Sequence, residues 1–109
     1  MIIVDNFPTP YYVVVFTSVR TPQDAENYSV AAQQMLDLAS RQPGFLGVES
    51  VRGEDGVGIT VSYWASEEAV VAWRDHPEHQ AIRERGRSTW YQHFTTRVAR
   101  VERSYSYSA

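Results

Sequence analysis

The chain of 109 residues contains no cysteine and no lysine. Without cysteine it can form no disulfide and no thiolate metal site, and it has no cysteine nucleophile. All basic residues are arginines, and a formal net charge of -3 predicts no surface for binding nucleic acid or an anionic membrane. No apolar run approaches membrane-spanning length, and no charged leader precedes an apolar core. These absences favour a cytoplasmic protein with no nucleic-acid or membrane partner.

The composition that remains is that of one globular domain with an aromatic interior. Hydrophobic residues make up 43% of the chain and aromatic residues 13%. We place the domain at residues 11–105, between an N-terminal arm at 1–10 and a C-terminal tail at 106–109. Ile2, Ile3 and Val4 could pair briefly with a sheet edge, but the prolines at 8 and 10 prevent a continuous strand.

Four segments have the period-2 pattern or the β-branched and aromatic content of strands: 11–19, 45–52, 59–64 and 90–105. The first of them is apolar on both faces, which requires cover on both sides of its sheet. The turn at 53–56, with a glycine at each end, predicts a hairpin between the second and third strands.

Two helical segments separate these strands. The first is predicted to begin with Thr21 as its cap and Pro22 at its first position, and to end before Pro43. The second begins at a Ser66 cap and breaks at Pro77, after which a new helix runs to about Gly86.

The resulting order is β-α-β-β-α-β, the α+β ferredoxin-like arrangement of a four-stranded antiparallel sheet with helices on one face. Two helical segments cover only that face. We therefore expect the open face to pack against a second copy in a homodimer, and the long last strand to reach the partner.

Several short motifs together resemble the antibiotic biosynthesis monooxygenase family over about residues 11–103. The core motif runs from Trp64 through Ala-Ser-Glu-Glu to Trp73, after the strand that starts at Gly58, and is followed by His76-Pro-Glu-His79. Two flanking segments, 43–47 and 86–91, also fit. This resemblance implies a dimeric α+β barrel. The family includes cofactor-independent oxygenases of aromatic polyketides, haem-degrading monooxygenases and small proteins with no assigned substrate.

The resemblance assigns site residues by position. Trp73 matches the tryptophan that distorts the porphyrin in haem-degrading members, and His79 matches a histidine found in some of them. Arg83 stands where their axial histidine lies, and arginine has no lone pair to give to iron. Phe16 or Thr17 replaces an asparagine of the first strand. In the quinone-forming members Trp64 would face the substrate, and Thr60 replaces a second asparagine.

These residues favour an oxygenase that needs no cofactor and acts with O2 on a small aromatic or quinol compound. Such a site must deprotonate a phenol, exclude water and stabilise an oxyanion. We expect His79 to be the base, Arg83 to stabilise the anion and Thr60 to donate a hydrogen bond. Trp64, Trp73 and Phe16 would form aromatic walls.

Two other functions remain open: a haem-binding or haem-degrading protein, and a non-catalytic dimer that binds a small ligand.

Several of these residues also have a purely structural interpretation. Trp64 and Trp73 at core spacing are also typical of residues that join a helix to a sheet. His76 is expected to cap or break a helix rather than to bind metal, because it and His79 have no third ligand at a suitable spacing.

Overall fold

A computed structural model describes residues 4–109 and contains four strands and three helices. Strands β1 to β4 cover Tyr11–Arg20, Phe45–Arg52, Val57–Trp64 and Tyr91–Val101. Helices α1, α2 and α3 cover Ala25–Ser40, Glu67–Arg74 and Pro77–Arg85, and a π-helical turn follows at Gly86–Trp90. The suggested edge pairing of Ile2 and Ile3 lies outside the described residues.

The strands form one antiparallel sheet in the order β2-β3-β1-β4. All three helices lie on the same face of this sheet, which we call the inner face. The predicted α+β ferredoxin-like arrangement is therefore confirmed. β1 pairs with β3 on one edge and with β4 on the other, its inner face lies under the helices, and its outer face is apolar without a helix above it.

The second helical segment begins and breaks where the sequence predicted. The Ser66 hydroxyl accepts a hydrogen bond from the backbone N–H of Ala69 at 3.1 Å, and α2 starts at the next residue, Glu67. α3 starts at Pro77, and the Nδ1 atom of His76 accepts from the backbone N–H of Glu78 at 3.2 Å. His76 is therefore a capping residue, as expected.

The predicted start of α1 is wrong. The helix begins at Ala25, and its N-cap is Asp24, whose φ of 55° lies in the left-handed region. The Thr21 hydroxyl accepts from the backbone N–H of Gln23 at 3.3 Å, before the helix begins, and donates to the carbonyl oxygen of Thr89 at 2.7 Å. The cap pattern of Thr21 and Pro22 was misleading because the threonine joins β1 to the turn before β4 instead.

The other differences concern strand ends. β3 begins at Val57, two residues before the predicted start, because the backbone N–H of Gly53 donates to the carbonyl oxygen of Val57 and closes the hairpin. β4 starts at Tyr91 and ends at Val101, so it is 11 residues long and stops short of the predicted Tyr105. Its pairing with β1 ends where β1 ends, opposite Tyr11. β4 therefore does not extend beyond its pairing with β1, and its length does not support the predicted dimer.

Close packing joins α2 to the start of β2. Gly44 follows α1 with a φ of +85°, which side chains disfavour, and a Cβ atom built on it would lie 2.6 Å from the Cβ atom of Ala69. The core next to this contact consists of Ala39, Trp64, Ala69, Val70 and Trp73. Among the helices of residues 4–109, none is long and apolar enough to cross a membrane.

The cap at Ser66 gives a test of this local structure. Ser66→Ala removes the acceptor for the N–H of Ala69 and should lower the free energy of unfolding by about 1 kcal/mol. Ser66→Asp supplies another good capping oxygen and should keep wild-type stability. Urea denaturation of the three proteins measures both effects, and equal destabilisation by alanine and aspartate would argue against the cap.

Candidate functional site

A cavity of about 270 Å³ lies between the inner face of the sheet and the helices. Alternating residues of the strands line its sheet side, among them Val14, Phe16 and Thr60. α1 and α3 close the other side, mainly with apolar side chains such as Met35 and Ile82. The fold therefore forms a largely apolar cavity, partly open to solvent, with a few polar groups in its wall.

One end of the cavity is built from three stacked rings. Trp64 and Trp73 stack with their ring centres 6.0 Å apart, and Trp73 and His79 stack at 4.2 Å with an angle of 11° between their planes. The three residues come from the end of β3, from α2 and from the first turn of α3. The break at Pro77 is what turns α3 back so that His79 lies on Trp73.

A hydrogen bond determines which nitrogen of His79 carries the proton. Nδ1 lies 2.9 Å from the carbonyl oxygen of Trp73, which can only accept. Nδ1 is therefore the donor, and in the neutral ring Nε2 holds the lone pair. The imidazole is fixed in orientation by this bond and by the Trp73 ring, so it presents a defined basic nitrogen.

Burial lowers the pKa of His79 below its usual value, and the charges of Arg83 and His76 lower it further. The hydrogen bond to the Trp73 carbonyl acts in the opposite direction, since it favours the charged ring. The net effect is to keep His79 neutral at pH 7. A neutral imidazole is the form that can accept a proton.

The other predicted site residues have different surroundings. Arg83 lies one helical turn after His79, is half-buried and lines the cavity, whereas Arg85 and Arg87 are exposed. The Thr60 hydroxyl is 2.7 Å from that of Ser50, so one proton of this pair is left over for another acceptor. Phe16 lines the cavity, as do Thr60, Trp73, His79 and Arg83.

Trp64 is the predicted site residue that does not line the cavity. Its side chain is fully buried behind Trp73, its Nε1–H donates to the Ser62 hydroxyl at 2.9 Å, and Phe45 packs edge-on against it. Its position is that of a residue joining helix to sheet, which the sequence left open as the alternative. Within residues 4–109 no group of three or more His, Asp and Glu residues could hold a metal ion.

The sequence reasoning missed a polar group at the other end of the cavity. Tyr28 of α1 and Tyr91 of β4 line the cavity there, with Arg52 beside them and the fully buried Ser18 behind. One signal was present: Ser18 follows Val14 and Phe16 on the inner face of β1, and a serine on an otherwise apolar face needs a polar partner.

The sequence of this chain is similar to that of known proteins. A family model described as antibiotic biosynthesis monooxygenase matches residues 10–85. The uncharacterized protein YqjZ of Bacillus subtilis is 56% identical over 94 residues, which cover 86% of this chain and 82% of that protein.

Two solved structures share the fold. Rv0793 from Mycobacterium tuberculosis has a TM-score of 0.76 at 12% identity, covering 88% of this chain and 99% of that one. SnoaB from Streptomyces nogalater, described as a cofactor-independent oxygenase, has a TM-score of 0.69 at 15% identity, covering 88% and 95%. At these identities the likeness concerns the fold alone.

The environment of His79 predicts how stability depends on pH. Because the pKa of His79 is lower in the folded protein than in the unfolded chain, the unfolded state binds more protons in mild acid. The free energy of unfolding should therefore fall as the pH drops through about 6.5. Urea denaturation across this range should show a weaker pH dependence for His79→Gln. His93→Gln, which changes an exposed strand residue, should keep the wild-type slope, and a slope carried by His93 would contradict the assignment.

Proposed function

Because the chain belongs to the antibiotic biosynthesis monooxygenase family, we propose that it oxidises a small phenol or quinol with O2, without metal, flavin or haem. The observation that carries the proposal is a neutral His79, fixed on the Trp73 ring at the wall of a largely apolar cavity. The description of SnoaB, which shares the fold, as a cofactor-independent oxygenase supports the absence of a cofactor.

The proposed reaction begins with proton transfer from the phenol to Nε2 of His79. The resulting phenolate gives one electron to O2, and the aryl radical and superoxide combine at the ring carbon opposite the phenolic oxygen. Protonation of the peroxide by the His79 imidazolium and loss of water leave a carbonyl at that carbon. One oxygen atom enters the quinone and the other leaves in water, so the substrate supplies all of the electrons.

Three groups of the cavity fit this chemistry. Arg83 carries the charge that would stabilise the phenolate and the peroxide, one turn from the base. Trp73 and Phe16 form aromatic walls that hold the ring and exclude water, which strengthens the electrostatic interactions inside. The proton left over in the pair of Thr60 and Ser50 is a hydrogen-bond donor on the sheet side.

Haem binding is the second candidate, and the lone pair on Nε2 of His79 is the observation that favours it. The cavity volume of about 270 Å³ opposes it. Pockets for drug-sized ligands measure roughly 300–1,000 Å³, so this one fits a compact ring system better than a porphyrin. A hemin titration separates the two candidates, since tight stoichiometric binding with a shifted Soret band would favour haem.

Oxygen consumption tests the oxygenase proposal. With 1-naphthol and related phenols the protein should take up O2 and form the quinone, whereas 1-methoxynaphthalene, which has no acidic proton, should give no uptake. His79→Gln should lower the rate by roughly 100-fold or more, as expected for a lost general base. His93→Gln should retain the wild-type rate. Absence of uptake with a panel of one-ring to three-ring phenols would favour the non-catalytic ligand-binding protein.

The outer face of the sheet supports a homodimer. Val51 and Ile59 are directly paired across β2 and β3, and they are 56% and 48% exposed. Val15 and Val61 pair beside them on the same face. We therefore propose that two copies pack through their outer faces, which would remove this apolar surface from water.

Light scattering after gel filtration tests the dimer. The wild-type protein should have twice the chain mass of 12.4 kDa at micromolar concentration. Ile59→Glu places a charge on the outer face and should give monomers. Val30→Glu is the matched control, because Val30 is a similarly exposed residue, at 57%, but lies on α1. A wild-type monomer, or equal effects of both variants, would contradict the interface.

A further inference from the structure

A half-buried cationic group, Arg52, lies beside the end of the cavity away from His79. Arg52 ends β2 and pairs in register with Gly58 of β3. A Cβ atom on Gly58 would lie 2.6 Å from Cζ of Arg52, so the missing side chain is what allows the guanidinium to lie over the strand. One nitrogen, Nη2, donates to the buried Ser18 hydroxyl at 2.8 Å.

The charge of Arg52 is not neutralised by an acidic side chain of residues 4–109. Its hydrogen bonds go to neutral oxygens: the Ser18 hydroxyl, the Gly56 carbonyl and the Tyr28 hydroxyl. A half-buried positive charge whose hydrogen-bond partners are neutral favours an electron-rich oxygen close by. Tyr28 lies between this charge and the cavity.

The hydrogen bonds of Tyr28 and Tyr91 leave one hydroxyl proton of this pair without an acceptor inside the pair. Arg52 can only donate, and its Nη2 lies 3.3 Å from the Tyr28 oxygen. The Tyr91 hydroxyl also donates to that oxygen, at 3.2 Å. Both acceptor positions of Tyr28 are therefore used, and its own proton must go to another acceptor. Tyr28 lines the cavity, where a ligand oxygen would be that acceptor.

The Tyr28 ring is held in place on several sides. The guanidinium of Arg20 lies 3.8 Å from the ring centre, and the rings of Trp90 and Tyr91 pack edge-on at 5.8 and 5.7 Å. A donor that is fixed before the ligand arrives loses little entropy on binding, which is the requirement for an effective oxyanion or carbonyl site.

Burial raises the pKa of the Tyr91 phenol well above its usual value, and its hydrogen bond to Tyr28 adds to the effect. Tyr91 is therefore protonated at neutral pH, and its hydroxyl donates to that of Tyr28.

The two polar ends are separated along α3. His79 lies in the first turn of this helix, whereas the Tyr91 ring packs against Gly86 just after its last residue. Seven residues at 1.5 Å each place these ends roughly 10 Å apart. The wall between them is mainly apolar. A compact ring system with an oxygen at each end matches this arrangement.

We propose that Tyr28, positioned by Arg52 and Tyr91, donates a hydrogen bond to a carbonyl or phenolate oxygen of the ligand at the end of the cavity remote from His79. The ligand then carries two oxygen atoms, one at each end of the cavity, which a simple monophenol does not. The proposal deepens the proposed function and rests on the cavity being its ligand site.

A matched pair of ligands tests the proposal without any turnover. The compounds 5-hydroxy-1-tetralone and 5,6,7,8-tetrahydro-1-naphthol share the same phenol and differ in one ketone. Calorimetric titration without O2 should show that the wild-type protein binds the ketone roughly tenfold more tightly, as expected for one hydrogen bond from a donor beside a charge. Tyr28→Phe keeps the ring and removes the hydroxyl, and it should abolish this preference while leaving the affinity for the tetrahydronaphthol unchanged.

Two controls make the ratio of affinities decisive. Tyr105→Phe removes the hydroxyl of an exposed tail residue and should keep the tenfold preference. Tyr91→Phe should keep most of it, because Tyr28 retains its proton. A preference lost in Tyr91→Phe but kept in Tyr28→Phe would overturn the assignment to Tyr28.

The remaining outcomes separate this proposal from the proposed function. Equal binding of both compounds by the wild-type protein would overturn the role of Tyr28 and leave the oxygenase proposal standing. If neither compound binds, the cavity is not a site for phenols and both proposals fail. Uptake of O2 with 1-naphthol together with an unchanged ligand preference in Tyr28→Phe would support the reaction and reject the inference.

Discussion

The stack of Trp64, Trp73 and His79 is the interaction on which the rest of the structure depends. Trp64 is fully buried at the end of β3 and fixes α2 to the sheet through Trp73. Trp73 in turn holds His79 both by its ring and by its backbone carbonyl. The orientation of the candidate base is therefore set by the core. Loss of the Trp64 ring would leave a large void and displace the base along with the helix.

A second constraint is the difference in side-chain size between the two faces of the sheet. On the inner face of β3, Thr60 and Ser62 are small and leave space beneath the helices that forms part of the cavity, whereas the Arg52 guanidinium lies over Gly58. On the outer face Ile59 and Val61 are bulky and apolar, with no helix above them. Alternation of small and bulky residues thus creates a cavity on one side and an apolar surface on the other.

The sequence predicted most of the fold, because the succession of strands and helices along the chain, the Ser66 cap and the Pro77 break are all marked by local signals. It failed at Thr21, where a cap pattern was overridden by a hydrogen bond to Thr89, a partner 68 residues away. Long-range pairing of this kind leaves no local trace. The same reason explains which part of the site the sequence could predict. Neighbouring segments of the chain form the His79 end of the cavity, which was predicted. Tyr28 and Arg52 meet only after the sheet has formed, and their contact was missed.

The two ends of the cavity complement each other chemically. At the His79 end, burial and, to a smaller extent, the charge of Arg83 lower the pKa of the imidazole and keep it neutral. In the proposed reaction the same charge would stabilise the anion that proton transfer creates. At the Tyr28 end a charge held on neutral partners polarises a fixed donor. In our proposal an electron-rich ring lies between these ends, and its negative charge is stabilised from both sides. The substrate is the only electron donor in the proposed reaction, so control of charge along the ring is the part of that chemistry that the protein would supply.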